Sequence, residues 1–356
     1  MDYATAYDVG DRKRGRGINE DSVAVSVFED GHRSGAGGEN ASASEATRPQ
    51  NRSVATFALA DGAGGYEAGE VASYIASTVV PERLADLAIR AARSDPAAFD
   101  VDLGDVAPAQ PSPAAIRRAI VDAVQAAHRA VLGYVNEAGQ PAFTTVVAGV
   151  AVGGELHYGW VGDSRLYVVN GEHETIERLT RDHSVVAELR AAGDIDEVEA
   201  HVHPRGNEIT DALGGHPGTG PGDDRVTVET HTVPLYAEDV VFATSDGIVD
   251  AQTDAPALHD RYLAADRAEE ASDAIREAVV TDDDLRDHLL AADSLDGAAR
   301  GLVDLANDRG GKDNVSAILC RDPTLASTPP DGDMPTREPE HDGPVAERQT
   351  VILPDE

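Results

Sequence analysis

Residues 53–65 read SVATFALADGAGG, an apolar run of small, β-branched and aromatic residues that ends in aspartate and glycine. Such a run predicts a strand from residue 53 to residue 60. The Asp61-Gly62 pair that follows it is typical of a hairpin turn. The same pair also fits a carboxylate held at a strand end, with glycine leaving room for a ligand beside it. The stretch by itself is explained by a turn.

The chain is acidic along its whole length. Its 356 residues include 65 aspartates and glutamates against 29 lysines and arginines, for a formal net charge of -36. This charge disfavours nucleic acid and anionic membrane surfaces as partners. Acid spread so widely, with Lys13 and Lys312 as the only lysines, fits adaptation to concentrated salt, where screening removes self-repulsion. We treat a halophilic character as a hypothesis.

The composition predicts a cytoplasmic protein that folds by itself. Hydrophobic residues make up 41% of the chain, which is enough for a substantial core. The sequence has no long apolar run and no signal-peptide pattern at its beginning, so we expect no membrane segment. The single cysteine, Cys320, ends the apolar run VSAILC and is interpreted as a small buried hydrophobe. No surface pattern indicates an oligomer, and a monomer is expected.

Further strand-like runs are rich in β-branched residues and are separated by Gly, Asp and Asn. They cover residues 21–28, 144–152, 155–162, 165–170, 239–245 and 314–320. Helical patterns cover residues 67–80, 113–138, 183–192 and 295–309, with Ser112 and Pro113 as the start signal of the second. This order lacks the regular alternation of a parallel sheet, so it predicts an α+β fold with helices outside antiparallel sheets.

Two segments differ in composition from the predicted core. Residues 29–52 are rich in Gly, Ser and Ala and predict a mobile loop insertion. Residues 322–356 are rich in Pro and acid and predict a disordered tail. One domain is therefore expected from residue 1 to residue 321.

Five aspartates share one pattern, in which the carboxylate lies at the edge of an apolar run near glycine or a small polar residue. They are Asp21, Asp61, Asp163, Asp246 and Asp313, and Glu20 precedes the first of them. Each one alone is explained by a turn or a helix cap. Together they suit Mg²⁺ or Mn²⁺, which prefer oxygen ligands from separate chain segments. If the strand ends meet at one edge, they predict a two-metal site.

Eight motifs occur in an order that resembles the metal-dependent serine/threonine protein phosphatases of the protein phosphatase 2C family, bacterial and archaeal type. They are RGINEDS, ALADGAGGYEAGEVAS, TTVV, WVGDSRLYVV, LTRDHSVVAEL, ITDALG, FATSDGIVD and ANDRGGKDNVSAIL, from about residue 6 to residue 321. The resemblance implies a four-layer αββα sandwich of two antiparallel sheets. It also implies that residues 187–214 form a flap beside the active site.

The resemblance assigns roles to residues that match its motifs. Asp61 resembles the carboxylate that bridges two Mn²⁺ or Mg²⁺ ions, with the Gly62 carbonyl as a further ligand. Asp246 and Asp313 resemble ligands of the second ion, and Asp21 resembles a carboxylate that acts on the metals directly or through water. Asp163 resembles a ligand of a third ion. Arg16 corresponds to the arginine that binds the substrate phosphate.

The implied reaction is hydrolysis of phosphoserine and phosphothreonine in proteins by metal-activated water, without a phosphoenzyme. The implied partners are phosphorylated proteins and a protein kinase, which places the chain in signalling. Two residues depart from the family pattern. Ala63 stands where many eukaryotic relatives have a histidine proposed as general acid, and Phe143 stands where glycine usually precedes TTVV.

Two other functions compete with an active protein phosphatase. A catalytically silent module of this fold would bind a phosphoprotein, but the loss of metal carboxylates expected of it is not seen. An enzyme acting on a small phosphate ester would keep the same metal site, so the residues leave this alternative open.

Overall fold

The computed structural model describes residues 1–15, 17–29, 53–63, 68–92, 110–219 and 225–337. Within these ranges the strands are β1 Asp2–Asp8, β2 Asp21–Glu29, β3 Ser53–Ala63, β4 Ala142–Thr144, β5 Val146–Val152, β6 Glu155–Val161, β7 Arg165–Asn170, β8 Thr175–Arg178, β9 Leu213–Gly215, β10 Glu229–Pro234, β11 Asp239–Thr244 and β12 Val315–Arg321. The α-helices are α1 Ala68–Ala92, α2 Pro113–Ala138, α3 Val185–Ala192, α4 Glu197–Ala200, α5 Ala255–Ala264, α6 Glu269–Ala278, α7 Asp282–Ala291 and α8 Leu295–Asp308. None of these helices is long and apolar enough to cross a membrane.

The strands form two antiparallel sheets. One sheet has the order β1-β12-β11-β7-β8. In the other, β10, β6, β5, β3 and β2 pair in that order, and the last residues of β3 pair instead with β4, which in turn pairs with β9. The long strand β3 is therefore the centre of the second sheet.

Both faces of β3 are buried, which explains its nearly continuous apolar sequence. Phe57 and Leu59 point into the core between the two sheets, whereas Val54 and Ala58 point toward α1 and α2. Residues on the two faces alternate because successive strand side chains point in opposite directions. Helix α8 and part of α7 cover the other sheet. The predicted four-layer αββα sandwich is confirmed.

The predicted helix from residue 67 to residue 80 is too short. Helix α1 continues through Pro81 to Ala92. A proline inside a helix costs about 3 kcal/mol. Leu84, Ala88 and Ala91 beyond it are buried in the core formed with α2 and β3, so packing outweighs this cost. For α2 the predicted start is confirmed, because the Ser112 side chain accepts from the Ala115 N–H.

The first part of the predicted tail is packed against the sandwich, contrary to the expectation of disorder from residue 322. Thr328 accepts from the Asn170 side chain at 2.9 Å, and the Pro329 carbonyl lies 2.8 Å from His173 Nε2. Arg337 is fully buried and pairs with Asp239 at 2.5 Å. The composition does not predict this ordered packing, because the segment is held against the sandwich by a buried ion pair and polar contacts. Residues 338–356, and residues 30–52 of the predicted loop, lie outside the described residues.

Candidate active site

The five predicted aspartates lie at one end of the sandwich. Asp21 begins β2 and is paired in register with Asp61 near the end of β3. Asp163 follows β6, Asp246 follows β11 and Asp313 precedes β12. Since antiparallel neighbours end and begin at the same edge of a sheet, both sheets contribute carboxylates to a common site.

Hydrogen bonds across the two sheets hold Asp21 in this site. Ser245, the residue before Asp246, donates its hydroxyl hydrogen to Asp21 Oδ2 at 2.8 Å. The Ser245 hydroxyl oxygen in turn accepts from the Ser316 N–H at 3.1 Å. The other carboxylate oxygen of Asp21, Oδ1, is buried and has no hydrogen-bond partner among the described residues. A buried oxygen without a donor is costly, so this atom is suited to an external cation.

The carboxylates repel one another electrostatically. Burial, together with the charges of Asp21, Asp246, Asp313 and Asp163, holds the pKa of Asp61 well above its ordinary range. Burial raises the pKa of Asp21 to about 6, and the charge of Asp313 acts in the same direction. The pKa of Asp246 is also held well above its ordinary range, first by burial and then by Asp163 and Asp313. Such a cluster favours a bound divalent cation, which removes the repulsion.

Two threonines of the TTVV motif position Asp61. The Thr145 N–H donates to the Asp61 carbonyl at 2.8 Å, and Thr145 Oγ1 accepts from the Asp61 N–H at 3.1 Å. Thr144 Oγ1 donates to the same carbonyl at 2.9 Å. Thr145 Oγ1 also lies 2.6 Å from Ser164 Oγ, beside Asp163. One short motif therefore connects two of the candidate metal ligands.

Asn314 ties the segment before β2 to the loop that carries Asp313. Its side chain is buried. Its Oδ1 accepts from the Glu20 N–H at 2.8 Å, and its Nδ2 donates to the Val9 and Ile18 carbonyls, both at 3.2 Å. Asn314 therefore links two distant parts of the chain.

Gly62 lies where no other residue fits. A Cβ on Gly62 would meet the Gly69 carbonyl oxygen at 2.2 Å and the Glu20 carbonyl oxygen at 2.7 Å. The Gly62 N–H donates to that same Glu20 carbonyl at 3.1 Å. The Asp-Gly pair after the apolar run is therefore required by close backbone packing, and the residues continue β3 rather than turning.

The departures at Ala63 and Phe143 are adjacent in the structure, because these residues pair across β3 and β4. Phe143 also pairs with Gly214 of β9. Gly214 has φ +97, and a Cβ there would lie 2.1 Å from the Ala142 carbonyl oxygen. A glycine is thus required on the neighbouring strand. The Phe143 ring packs edge-on against His216 with centroids 5.2 Å apart.

Both lysines of the chain lie beside the carboxylates. Lys13 Nζ is 2.5 Å from Asp313 Oδ1, and the charge of Lys312 opposes the rise in the pKa of Asp246. Arg12 lines a cavity to which Asp163 and Asp246 also contribute. Arg16, the predicted phosphate ligand, lies outside the described residues.

A cavity of about 1320 Å³ extends from Asp163 and Asp246 along the predicted flap. His201 and His203 of the flap line it, whereas Arg205 forms an exposed pair with Glu208 at 2.5 Å. His183 anchors the start of this region: it is buried, its Nδ1 accepts from the Gly162 N–H at 3.1 Å, and its Nε2 lies 2.9 Å from Glu229 Oε1.

Two further aspartates near Asp163 were missed by sequence reasoning. Burial and the charges of Asp182 and Asp250 raise the pKa of Asp163 to about 7. The Asp250 N–H donates to the Asp246 carbonyl at 2.8 Å, so one turn brings both carboxylates to the cavity. Asp182 is paired with Arg165 at 2.9 Å. The repeated aspartate in SDGIVD was the available signal for Asp250.

The family model described as protein phosphatase 2C matches residues 31–280. This chain belongs to the protein phosphatase 2C family. The chain is 29% identical over 176 residues to the serine/threonine phosphatase stp of Listeria welshimeri serovar 6b. That alignment covers 49% of this chain and 55% of the relative, so the chain spans only about half the length of this relative.

Solved structures of phosphatases share the fold. The serine/threonine phosphatase PstP/Ppp of Mycobacterium tuberculosis has a TM-score of 0.57 and 26% identity, over 89% of this chain and 97% of its own. The catalytic domain of the serine/threonine protein phosphatase PstP in complex with two manganese ions has a TM-score of 0.55 and 24% identity, over 89% and 96% of the two chains. The second similarity concerns the fold alone.

Proposed function

We propose that this chain is a protein phosphatase that removes phosphate from phosphoserine and phosphothreonine at a two-metal Mn²⁺ or Mg²⁺ site. The observation that carries this proposal is the convergence of Asp21, Asp61, Asp163, Asp246 and Asp313 at one end of the sandwich, where burial and the charges of neighbouring carboxylates raise the pKa values of four of them. Membership of the protein phosphatase 2C family supports it.

The described residues fit a pair of hard divalent cations. Oxygen donors from five separate segments of the chain meet here, and all five are carboxylates, the donor type that suits Mn²⁺ and Mg²⁺. The Oδ1 atom of Asp21 is buried and has no hydrogen-bond donor among the described residues. Lys13 contacts Asp313 at 2.5 Å, so one positive charge already lies beside this carboxylate.

Each residue has a separate task in the proposed site. Asp61 would hold both ions, as the resemblance to the family implies, and the charges of all four other aspartates act on it. Asp246 and Asp313 would hold one of the ions, and Gly62 would contribute its carbonyl. Asp21 would act on the ions directly or through water, and Asp163 would hold a third ion. When bound, the ions supply an activated water and neutralise charge on the phosphate.

Substrate binding is assigned to residues around the metal site. Arg16 binds the phosphate, since a guanidinium can donate two parallel hydrogen bonds to phosphate oxygens. The cavity along the flap is large enough for a peptide chain beside the phosphorylated residue, and Arg12 is one of the residues that line it. Ala63 has no titratable group, so any proton for the leaving serine or threonine comes from elsewhere in the site.

The test is phosphate release from a phosphothreonine peptide with Mn²⁺, with and without a chelator, for the wild type and Asp61→Asn. We expect chelation to abolish release and Asp61→Asn to reduce it by at least about 100-fold, the scale on which loss of one transition-state contact acts. Asp86→Asn, an exposed aspartate on α1, is the matched control and should remain fully active.

Activity that survives chelation or the Asp61→Asn change would reject the mechanism. The same assay on p-nitrophenyl phosphate separates the two enzyme hypotheses, because metal-dependent release from the small ester alone indicates a small-molecule phosphatase. Absence of release from both substrates, with the phosphopeptide still bound, indicates the silent binding module.

A further inference from the structure

A second group of metal-ligating side chains lies outside the aspartate site. Glu199 belongs to α4, His203 follows it in the flap, and His259 lies on α5. One potential ligand atom from each of the three side chains lies within 4.8 Å of the other two. Glu199 and His203 are four residues apart in the chain, while His259 comes from a segment more than 50 residues later.

The geometry of the group is close to that of a bound ion. His259 Nε2 is 3.4 Å from Glu199 Oε1. Ligands about 2.0–2.2 Å from a tetrahedral Zn²⁺ are about 3.4 Å apart, so this pair already has the required spacing. The His203 ring packs edge-on against the His259 ring with centroids 5.6 Å apart, and His203 needs a shift of no more than about 1.4 Å to complete the site.

The surroundings orient two of the three ligands. Glu199 and His259 are 5% and 9% exposed. Arg267 donates to Glu199 Oε2 at 2.6 Å, which leaves Oε1 toward His259. A hydrogen-bonded outer partner of this kind fixes a ligating carboxylate. His203 is less buried, and its Nδ1 accepts from the Arg205 N–H at 3.2 Å, so it is the ligand that rearranges most.

The chemistry of this group differs from that of the aspartate site. Two imidazoles and one carboxylate are the donor set of Zn²⁺ and its late first-row neighbours, with a fourth position open to water. The two sites therefore select different classes of ion.

The position of the group connects two parts of the molecule. His203 lines the cavity that contains Asp246. Beside the group, Val202 of the flap packs with Leu258 and Tyr262 of α5, and Tyr262 donates to Asp196 at 3.0 Å. We propose that Glu199, His203 and His259 bind one ion of the Zn²⁺ class, which fixes the base of the flap to α5. This proposal does not depend on the reaction at the aspartate site.

The test measures bound Zn²⁺ by equilibrium dialysis against excess Mg²⁺ for the full chain and three variants. His203→Gln and His259→Gln remove imidazole ligands while keeping a hydrogen-bonding group, and His288→Gln on α7 is the matched control. We expect the wild type and His288→Gln to bind one Zn²⁺ more than the other two. At a Zn²⁺ concentration of about 100 times Kd, their Tm should also rise by about 4 °C more. Equal Zn²⁺ content in all four proteins would overturn the proposal.

Two measurements on the wild type keep the proposal testable if a variant fails to fold. Bound Co²⁺ should show the intense visible absorption of a tetrahedral site with nitrogen ligands, and only the weak spectrum of octahedral oxygen ligation would contradict this. Zn²⁺ should slow hydrogen exchange of backbone amides in residues 196–203 and 255–264. Unchanged exchange in both segments would reject the proposed link between the flap and α5.

Discussion

The two ends of β11 carry aspartates in opposite surroundings. Asp239 at its beginning is buried and accepts from Arg337 at 2.5 Å, from the Asn170 side chain at 2.7 Å and from the Tyr236 N–H at 2.7 Å. Asp246, just beyond its end, faces other carboxylates, and its pKa is held well above the ordinary range. The strand between them is only six residues long.

This difference distinguishes a carboxylate that stabilises the fold from one that is available to bind a ligand. The charge of Asp239 is compensated inside the fold by Arg337. The residue thereby joins the C-terminal segment, residues 322–337, to the sheet. Among the described residues the charge of Asp246 is opposed by Lys312, but its pKa stays well above the ordinary range because of burial and the neighbouring carboxylates, so the site favours a cation from solution. A buried charge without a partner is costly, and a protein that keeps several of them in one place gains a binding site in exchange for stability.

The largest expected effect comes from removing the charge of each of the two aspartates in a separate variant. Asp246→Asn should reduce phosphatase activity by at least about 100-fold while leaving the metal-free protein as stable as the wild type or more so, because one repelling charge is removed. Asp239→Asn should leave kcat of the folded enzyme unchanged and lower the free energy of unfolding. Urea denaturation and phosphopeptide turnover measure the two effects. Equal activity loss in both variants would contradict the distinction.

The next effect concerns the partner of Asp239. Arg337→Met leaves Asp239 buried without its cation, and loss of one partner of a buried pair costs about 3–5 kcal/mol. The free energy of unfolding, measured by urea denaturation, should fall by this amount. Arg14→Met is the matched control, because Arg14 is 58% exposed in its pair with Asp8 and exposed pairs contribute about 0–1 kcal/mol. Similar small losses in both variants would mean that the C-terminal segment is not held as described.

Much of the fold and the positions of the site carboxylates could be predicted from the sequence. Strands with both faces buried, such as β3 and β5, were predicted because their residues are almost continuously apolar. The family and the four-layer fold are confirmed. They could be predicted because the motifs at the strand ends reflect the local backbone geometry that this fold requires. The carboxylates of these motifs do meet, whereas their roles in metal binding and catalysis stay predictions, as does the role of Arg16.

The missed elements depend on contacts that composition does not reveal. Strand β1 is an edge strand that pairs with β12 through its backbone, and its Tyr3 and Tyr7 remain exposed. Helices α6 and α7 bury few residues and are mostly charged. The C-terminal segment was missed because its order depends on Arg337, a single charged residue that is buried only in the folded chain.

A smaller effect should appear when pH changes the charge of the metal site. The pKa of Asp21 is about 6 and that of Asp163 about 7. Protons compete with the ions below these values, so affinity for Mn²⁺ should fall as pH falls from 8 to 5.5, by roughly tenfold per unit for each proton displaced. Calorimetric titration measures it. Affinity that is independent of pH would contradict the crowding of carboxylates in this site.

The metal-free protein should show the opposite trend in stability. For a carboxyl group whose pKa is raised by folding, the native state binds more protons than the unfolded state between the two pKa values. The free energy of unfolding therefore falls as pH rises from about 4 through 6 and 7, and saturating Mn²⁺ should suppress this loss. A metal-free Tm that rises over this range would show that other groups dominate.

The smallest expected effect compares how salt changes the contribution of exposed charges and of a buried ion pair to the free energy of unfolding. Salt screens exposed charges much more than buried pairs, and the net charge of -36 implies strong repulsion among exposed acids. If the chain is adapted to salt, raising KCl from about 0.1 M to about 2 M should increase the free energy of unfolding. The loss caused by Arg337→Met should stay the same at both concentrations, because Arg337 and Asp239 are buried. A wild type equally stable in dilute buffer would reject the halophilic hypothesis, and a salt-dependent loss in the variant would show that the pair is reached by solvent.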